Sequence, residues 1–343
     1  MRVGAFVLAA QFPGQGPGEA LHRAVRTAEV AEEAGLDSVW VAEHHFVPYG
    51  VCPSAVTLAA LMLGRTRRLR VGTAVSVLPS AHPVALGEQA ALLHLTSEGR
   101  FSLGVGRGGP WVDLEVFGGG LDAYENRFPE DLDLLRRWLA EPRVGVAGAE
   151  AGARYGFREV AVVPRPSEAL HGDGTGPELI VACTSPASVR LAAERGLPML
   201  LGMHCGDEDK AAMVELWRRT ARAAGRCPEA GHVSAGVCQL ADRTADARET
   251  LLKAMPGWLK QGLDAHVTVD GRVRAMRDPV AYTELLCDLH PVGTPELAAD
   301  RLAVTSERTG ITRFALLTEG SGDLAATEEN LRRLGAEVVP RLG

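Results

Sequence analysis

No apolar run in the 343 residues approaches the ~18–20 needed to cross a bilayer. The opening stretch, Met1-Arg2-Val3-Gly4-Ala5-Phe6-Val7-Leu8, carries one positive charge and only a short apolar segment. It reads as a buried first strand, not as a secretory leader, which would need a longer apolar region and a small-residue cleavage site. Cysteines are few and scattered: Cys52, Cys183, Cys205, Cys227, Cys238 and Cys287 form no C-x-x-C pair. That spacing supports neither a zinc ribbon nor a redox dithiol, and reduced thiols of a cytoplasmic protein are expected. There is no basic excess. Lys and Arg number 36 against 43 Asp and Glu, for a net charge of −7. Wrapping nucleic acid or coating an anionic membrane needs a basic face, so neither is an expected partner. A small molecule is. With 46% hydrophobic and 23% charged residues the composition is that of an ordinary folded chain, which excludes disorder and a disulfide mini-protein.

What is present is alternation. Short apolar runs occur at Val3–Ala9, Ser38–Ala42, Leu69–Val77, Phe101–Val105, Glu178–Ala182, Pro198–Leu201, His232–Leu240 and Arg313–Thr318. Amphipathic stretches separate most of them, among them Gly18–Ala34, Pro53–Arg65, Pro83–Thr96, Tyr124–Leu139, Ala187–Arg195, Asp207–Ala224 and Ala245–Leu259, and Asp323–Leu334 follows the last. Buried strands joined by helices make a parallel sheet. Gly35, Gly196 and Gly310 each sit where a helix would end in the left-handed conformation. Eight such units predict an α/β fold, a (β/α)8 TIM barrel, over the alternative of an open doubly wound sheet, with residues 1–343 as a single domain. Two segments break the rhythm. Glu141–Pro166 is rich in Gly, Ala and Pro and is expected to make a small hairpin excursion. Lys260–His290 lacks periodicity and is expected to be a lid-like insertion between strands seven and eight, with 260–290 mobile.

A barrel of this kind is filled by side chains, so chemistry must sit where the strands end. Glu43-His44-His45 follows the second run. Adjacent histidines on extended backbone point to opposite sides, and no H-E-x-x-H is present, so no metal site is expected. One histidine could pack and cap while the other is solvated; otherwise a neutral imidazole is poised for proton transfer. Gly104-Val105-Gly106-Arg107-Gly108-Gly109 matches G-x-G-x-x-G formally, but Pro110 and Gly118-Gly119-Gly120 follow in place of a helix. That weakens a dinucleotide reading and leaves Arg107 as a fork-shaped donor to phosphate, or a solvated loop residue. Thr184-Ser185-Pro186-Ala187-Ser188 opens a helix after the fifth run. Its hydroxyls and first-turn N–H groups suit an anion, although an ordinary capped helix explains the same residues. No Gly-x-Ser-x-Gly elbow and no suggestive carboxylate pair occur.

Several motifs fall together in an order that resembles the bacterial luciferase-like flavin monooxygenases, specifically their alpha-subunit branch. They are Trp40-Val41-Ala42-Glu43-His44-His45-Phe46, Leu78-Pro79-Ser80-Ala81-His82-Pro83-Val84, Gly104-Val105-Gly106-Arg107-Gly108 and Pro291-Val292-Gly293-Thr294-Pro295. The resemblance implies an enzyme that takes reduced FMN from a separate reductase. It would react the flavin with O₂ and oxygenate a small organic substrate through a flavin peroxide. It further implies His44 as the catalytic histidine with His45 beside it, and Arg107, Thr184, Ser185 and Ser188 at the FMN phosphate. Ala74-Val75 would be a non-prolyl cis peptide under the flavin ring. Gly106 stands where the light-emitting alpha subunit has a reactive Cys, and Cys183 or Thr184 replaces a carboxylate, so light emission is not expected. A deazaflavin-dependent hydride transfer, or a non-catalytic flavin-binding subunit, are the alternatives. The aromatics Phe6, Phe46, Trp111 and Phe117, with Leu8, are expected near the mouth. The helices Pro53–Arg65 and Pro83–Thr96, with small residues at Ala55, Ala59, Ala85 and Ala91, are expected to pair in a homodimer with Glu88 near the contact.

Overall fold

The computed structural model describes residues 1–147, 155–168, 174–272 and 277–343. All eight expected strands form: Arg2–Val7, Ser38–Val41, Arg70–Thr73, Phe101–Gly106, Glu178–Cys183, Met199–Leu201, Val233–Val237 and Arg313–Leu317. Each runs parallel to its neighbours in chain order. The eighth closes on the first, with Phe314 opposite Val3, and the third meets the fourth, with Val71 opposite Phe101. The sheet is therefore a closed (β/α)8 barrel and not an open one. Burial on both faces explains why these strands read as continuous apolar runs. Val3, Ala5 and Val7 pack outward with helix residues such as Ala24 and Ala28, while Phe6 and Leu8 join Trp40, Ala315 and Leu317 inside. Gly35, Gly196 and Gly310 take φ of 75°, 68° and 73°, as helix ends require.

The excursion after the helix Phe128–Ala140 is a hairpin, as expected: Arg143–Val146 pairs antiparallel with Phe157–Ala161. Its connection, 148–154, lies outside the described residues. The stretch 260–290 departs from expectation in its secondary structure. Lys260–Asp264 completes a helix that begins at Thr244, and Pro279–Leu289 is a second helix, capped by the Asp278 carboxylate accepting from the Ala281 N–H at 2.7 Å. Residues 273–276 are outside the described set. The two helices pack against each other between the seventh strand and its crossover helix, Pro295–Thr309. The first contains the expected helix Ala245–Leu259; the second was not expected, because exposed Val280 and Leu285 blur the 3.6-residue period of its buried Thr283, Leu286 and Cys287.

One detail of the dimer expectation is corrected. Ala55, Ala59 and Ala91 are buried within the chain, so they cannot line an outer face. On the helices Ala55–Arg65 and Pro83–Thr96 the exposed residues are Thr57, Ala60, Leu61, Gly64 and Arg65, and Ala85, Glu88, Gln89, Leu92 and Thr96. Leu61 is 47% exposed and Leu92 54%.

Candidate active site at the carboxyl ends of the strands

The fourth and fifth strands are neighbours, with Val105 opposite Val181, so the segments that leave them emerge side by side. Arg107 follows the fourth strand and is exposed. Its Cζ lies 4.2 Å from the Tyr124 ring centroid, and its Nη2 donates to the Tyr124 hydroxyl at 3.2 Å. This stacking fixes the plane of the guanidinium fork. After the fifth strand, Ser185 caps the helix Pro186–Glu194 and accepts from the Ser188 N–H at 3.3 Å. The Ser188 hydroxyl accepts in turn from the N–H groups of Thr184 at 3.2 Å and Ser185 at 3.1 Å. A cavity of about 400 Å³ brings Val75, Gly106, Arg107, Thr184, Ser185 and Ser188 to one surface, with Glu125 and Phe128 also lining it. The Ala74–Val75 peptide is cis. A Cβ on Gly106 would stand 2.6 Å from Val75 Cγ2, so the glycine found there is a packing requirement of this wall. Cys183 is buried, and burial pushes its thiol up to about 12 despite a bond toward Ser188, which leaves it unreactive at neutral pH.

Glu43 was not singled out in the sequence as a residue in its own right, yet it organises the adjacent wall. Its Oε2 accepts from the Ala55 N–H at 3.0 Å, at the start of a helix, and its Oε1 accepts from the Val77 N–H at 2.9 Å. His45 Nε2 stands 3.6 Å from the same carboxylate. A carboxylate directly after a strand, within the E-H-H-F motif, was the available signal.

His44 lies beside this brace. Its Nδ1 is buried without a hydrogen-bond partner, and its ring meets Tyr49 edge-on at 5.1 Å. Burial, then the neighbouring His266 and His45, push its pKa down to about 3, so the imidazole is neutral at physiological pH. Gly50 makes room for it: a Cβ there would sit 2.7 Å from His44 Nδ1. His266 was missed in the sequence because it comes from the insertion. It donates from Nδ1 to the Gly262 carbonyl at 2.9 Å, and its ring lies 4.6 Å from Trp111. Trp258, on the helix Thr244–Asp264 that leads into the insertion, donates to the Tyr49 carbonyl at 3.0 Å and stacks on that ring at 4.9 Å. The insertion thus packs over the ends of the first two strands. Of the apolar residues expected near the mouth, Phe6 and Leu8 are core. Among the described residues no group of three His, Cys, Asp or Glu is arranged to hold a metal ion.

The family model for luciferase-like monooxygenases matches residues 1–313. The chain belongs to that family. This luciferase-like protein is 27% identical over 360 residues to the alkanal monooxygenase alpha chain of Photorhabdus luminescens, covering 100% of this chain and 97% of the relative. Among solved structures it is similar to monooxygenase RslO1 from Streptomyces bottropensis, with a TM-score of 0.82, 25% identity and 100% of both chains covered. It also shares its fold with the oxygenating constituent of 3,6-diketocamphane monooxygenase from Pseudomonas putida, a type II Baeyer-Villiger monooxygenase solved in complex with FMN. The TM-score there is 0.78 at 21% identity, over 100% of this chain and 99% of that one. No helix among the described residues is long and apolar enough to cross a membrane.

Proposed function

We propose that this luciferase-like monooxygenase is FMN-dependent, receives reduced FMN from a separate reductase, and uses O₂ to oxygenate a small organic substrate. The observation that carries the reading is the cavity in which Val75, Arg107, Thr184, Ser185 and Ser188 converge from three distant parts of the chain. Its donor set suits a phosphate monoester: one guanidinium fork and three hydroxyls at a helix start. Val75 with the Ala74–Val75 peptide offers a wall for a flat ring. When bound, FMN supplies the oxygen chemistry; the protein supplies position, dryness and a few hydrogen bonds.

Within that division of labour, Arg107, Thr184, Ser185 and Ser188 hold the phosphate. His44, neutral and with Nδ1 unpartnered, accepts or returns a proton at that nitrogen. His45 stands at its side against Glu43. To the helical insertion, which packs over the ends of the first two strands, we assign the part of a lid on a single domain. We further propose a homodimer through the helices Ala55–Arg65 and Pro83–Thr96, whose outward Leu61 and Leu92 would otherwise face water. The buried thiols suit the reducing cytoplasm.

Anaerobic titration with photoreduced FMN, followed by oxygen uptake in the presence of candidate substrates, tests the reading. Saturable binding and substrate-linked oxygen uptake are expected. Binding of a reduced deazaflavin in preference to FMN, with hydride exchange and no oxygen uptake, would assign the hydride-transfer alternative. FMN binding with no turnover of any substrate would assign a flavin-holding subunit. For the assembly, a light-scattering mass near the chain's own 36.4 kDa at micromolar concentration would remove the dimer.

A further inference from the structure

Aromatic residues are scarce in this chain, 5% in all, yet they crowd the mouth of the barrel. Phe12 stacks on Trp258, which stacks on Tyr49, which meets both His44 and His266; Trp111 lies against His266. Those rings are the inner, packed part. Beyond them the pattern changes. Phe46 and Phe117 are 59% and 45% exposed, and their rings stack on each other at 6.0 Å with an interplanar angle of 27°. His45 meets Phe117 edge-on at 4.9 Å, which joins this exposed pair to the pair of histidines. Val116 and Val267, 59% and 57% exposed, continue the apolar surface.

Two features separate this rim from a chance surface hydrophobe. It is held in place: the Val112 N–H donates to the Val267 carbonyl and the Val269 N–H to the Pro110 carbonyl, both at 3.0 Å, which ties the segment carrying Phe117 to the insertion. And Phe46 has φ of 63°, a left-handed conformation that is costly for a bulky residue and tends to be kept where function needs the side chain held in one place. A rigid, contiguous apolar rim beside a polar site marks a place where a ligand covers it.

We infer that the substrate is a flat, fused-ring aromatic compound, seated against Phe46 and Phe117 with its reacting edge between that ledge and His44. The inference rests on the monooxygenase reading above and names its substrate class. Offset and edge-to-face ring contacts favour a planar partner beyond the area they bury. A long aliphatic chain would gain area on the same ledge but no such contact, and would lose more rotational freedom on binding.

The test uses 2-naphthol and 1-decanol, which share ten carbons and one hydroxyl but differ in planarity, with binding to the full chain followed by calorimetry with and without FMN. The alcohol is the more hydrophobic, so simple greasiness favours it. The expected result is at least tenfold tighter binding of 2-naphthol. Phe117→Ala and Phe46→Ala should each erase that preference at unchanged FMN affinity and thermal midpoint. Phe117→Leu, which keeps apolar bulk without the ring, should lose it as well. Equal or tighter binding of 1-decanol, a 2-naphthol affinity within twofold of wild type in all three variants, or binding of neither compound would overturn the inference. So would a change in light-scattering mass on Phe117→Ala with no ligand effect, which would make the rim a contact between copies. The FMN dissociation constant, measured on the same preparations, reports separately on the parent reading: its failure would leave the ring preference standing, and the reverse.

Discussion

The two ends of the barrel treat polar side chains in opposite ways. Where the strands begin, Arg313 donates through both Nη atoms to Glu178 at 2.6 and 2.8 Å. Glu32 accepts from the N–H groups of Arg67 at 2.8 Å, Arg68 at 2.5 Å and Leu69 at 2.9 Å. Arg100 donates to the carbonyls of Leu63, Leu69 and Ser97 at 3.1, 3.0 and 3.2 Å. These groups complete one another. Where the strands end, His44 Nδ1, Ser76 Oγ, Gln239 Oε1 and Thr318 Oγ1 are buried with no hydrogen-bond partner. Native proteins leave few buried polar atoms unpaired, and a group of them at one end calls for an explanation. The lower end is architecture that is finished by the chain itself. We read the upper end as the part that a ligand completes.

That contrast can be broken by experiment. The largest effect is expected from His44→Gln, which should lower turnover by roughly 10²–10⁴-fold while sparing FMN affinity; steady-state rates beside an FMN titration decide it, and near-normal turnover would end the catalytic assignment. Arg107→Ala should weaken FMN binding by ~2–4 kcal/mol, the value of a charge-assisted fork at a partly desolvated site, and leave the thermal midpoint in place. The mirror experiment is Arg100→Met. It removes the side-chain donor from three carbonyls and should cost ~2 kcal/mol of stability in a urea titration without moving the FMN dissociation constant. If Arg100→Met weakened FMN binding as much as Arg107→Ala, the division between the ends would fail.

A smaller effect concerns pH. Burial pushes His44 and His290 down to about 3 and His232 down to about 4, against an ordinary 6.5. Between those limits the unfolded chain binds protons that the folded chain refuses. Stability contributed by the three is thus complete above pH 6.5 and is lost as pH falls toward 4, at up to ~1.4 kcal/mol per pH unit for each. Removing His44 should make the decline shallower by the share of one proton, read from unfolding midpoints across that range. Smallest of all, Ser185→Ala should cost ~1 kcal/mol of stability through the lost helix cap and add a modest loss in FMN affinity.

The strands were legible because a barrel buries both faces of each, so Ser38–Val41 and Arg313–Leu317 announce themselves as apolar runs whatever their neighbours do. Helix ends were legible through glycine, as Gly310 shows. The helix Thr244–Asp264 was legible over Ala245–Leu259 from its one-sided stripe, but Pro279–Leu289 was not, because exposed Val280 and Leu285 blur the stripe of its buried face. The inward turn of Ala55, Ala59 and Ala91 was missed for a related reason: small apolar residues suit a core and an interface equally, and only the rotation of the helix about its axis decides. In the site, Arg107 and the serine pair could be named because strand order makes the fourth and fifth strands neighbours. His266 could not, since its approach to Tyr49 and Trp111 depends on how the insertion folds back, a long-range fact that no local spacing encodes. Glu43 was in plain view within its motif, but its two backbone partners, Ala55 and Val77, lie 12 and 34 residues away.

That carboxylate has a thermodynamic consequence. One oxygen holds the first N–H of the helix Ala55–Arg65; the other holds the strand segment just beyond the cis peptide. A ligand that shifts the segment at Val77 by more than hydrogen-bond tolerance must carry the helix start with it or give up a bond. Glu43 is therefore a joint between the start of that helix and the segment that follows Val75 in the cavity wall. Under the proposed homodimer and flavin site, linkage would be reciprocal: whatever factor flavin added to association, association would add to flavin binding.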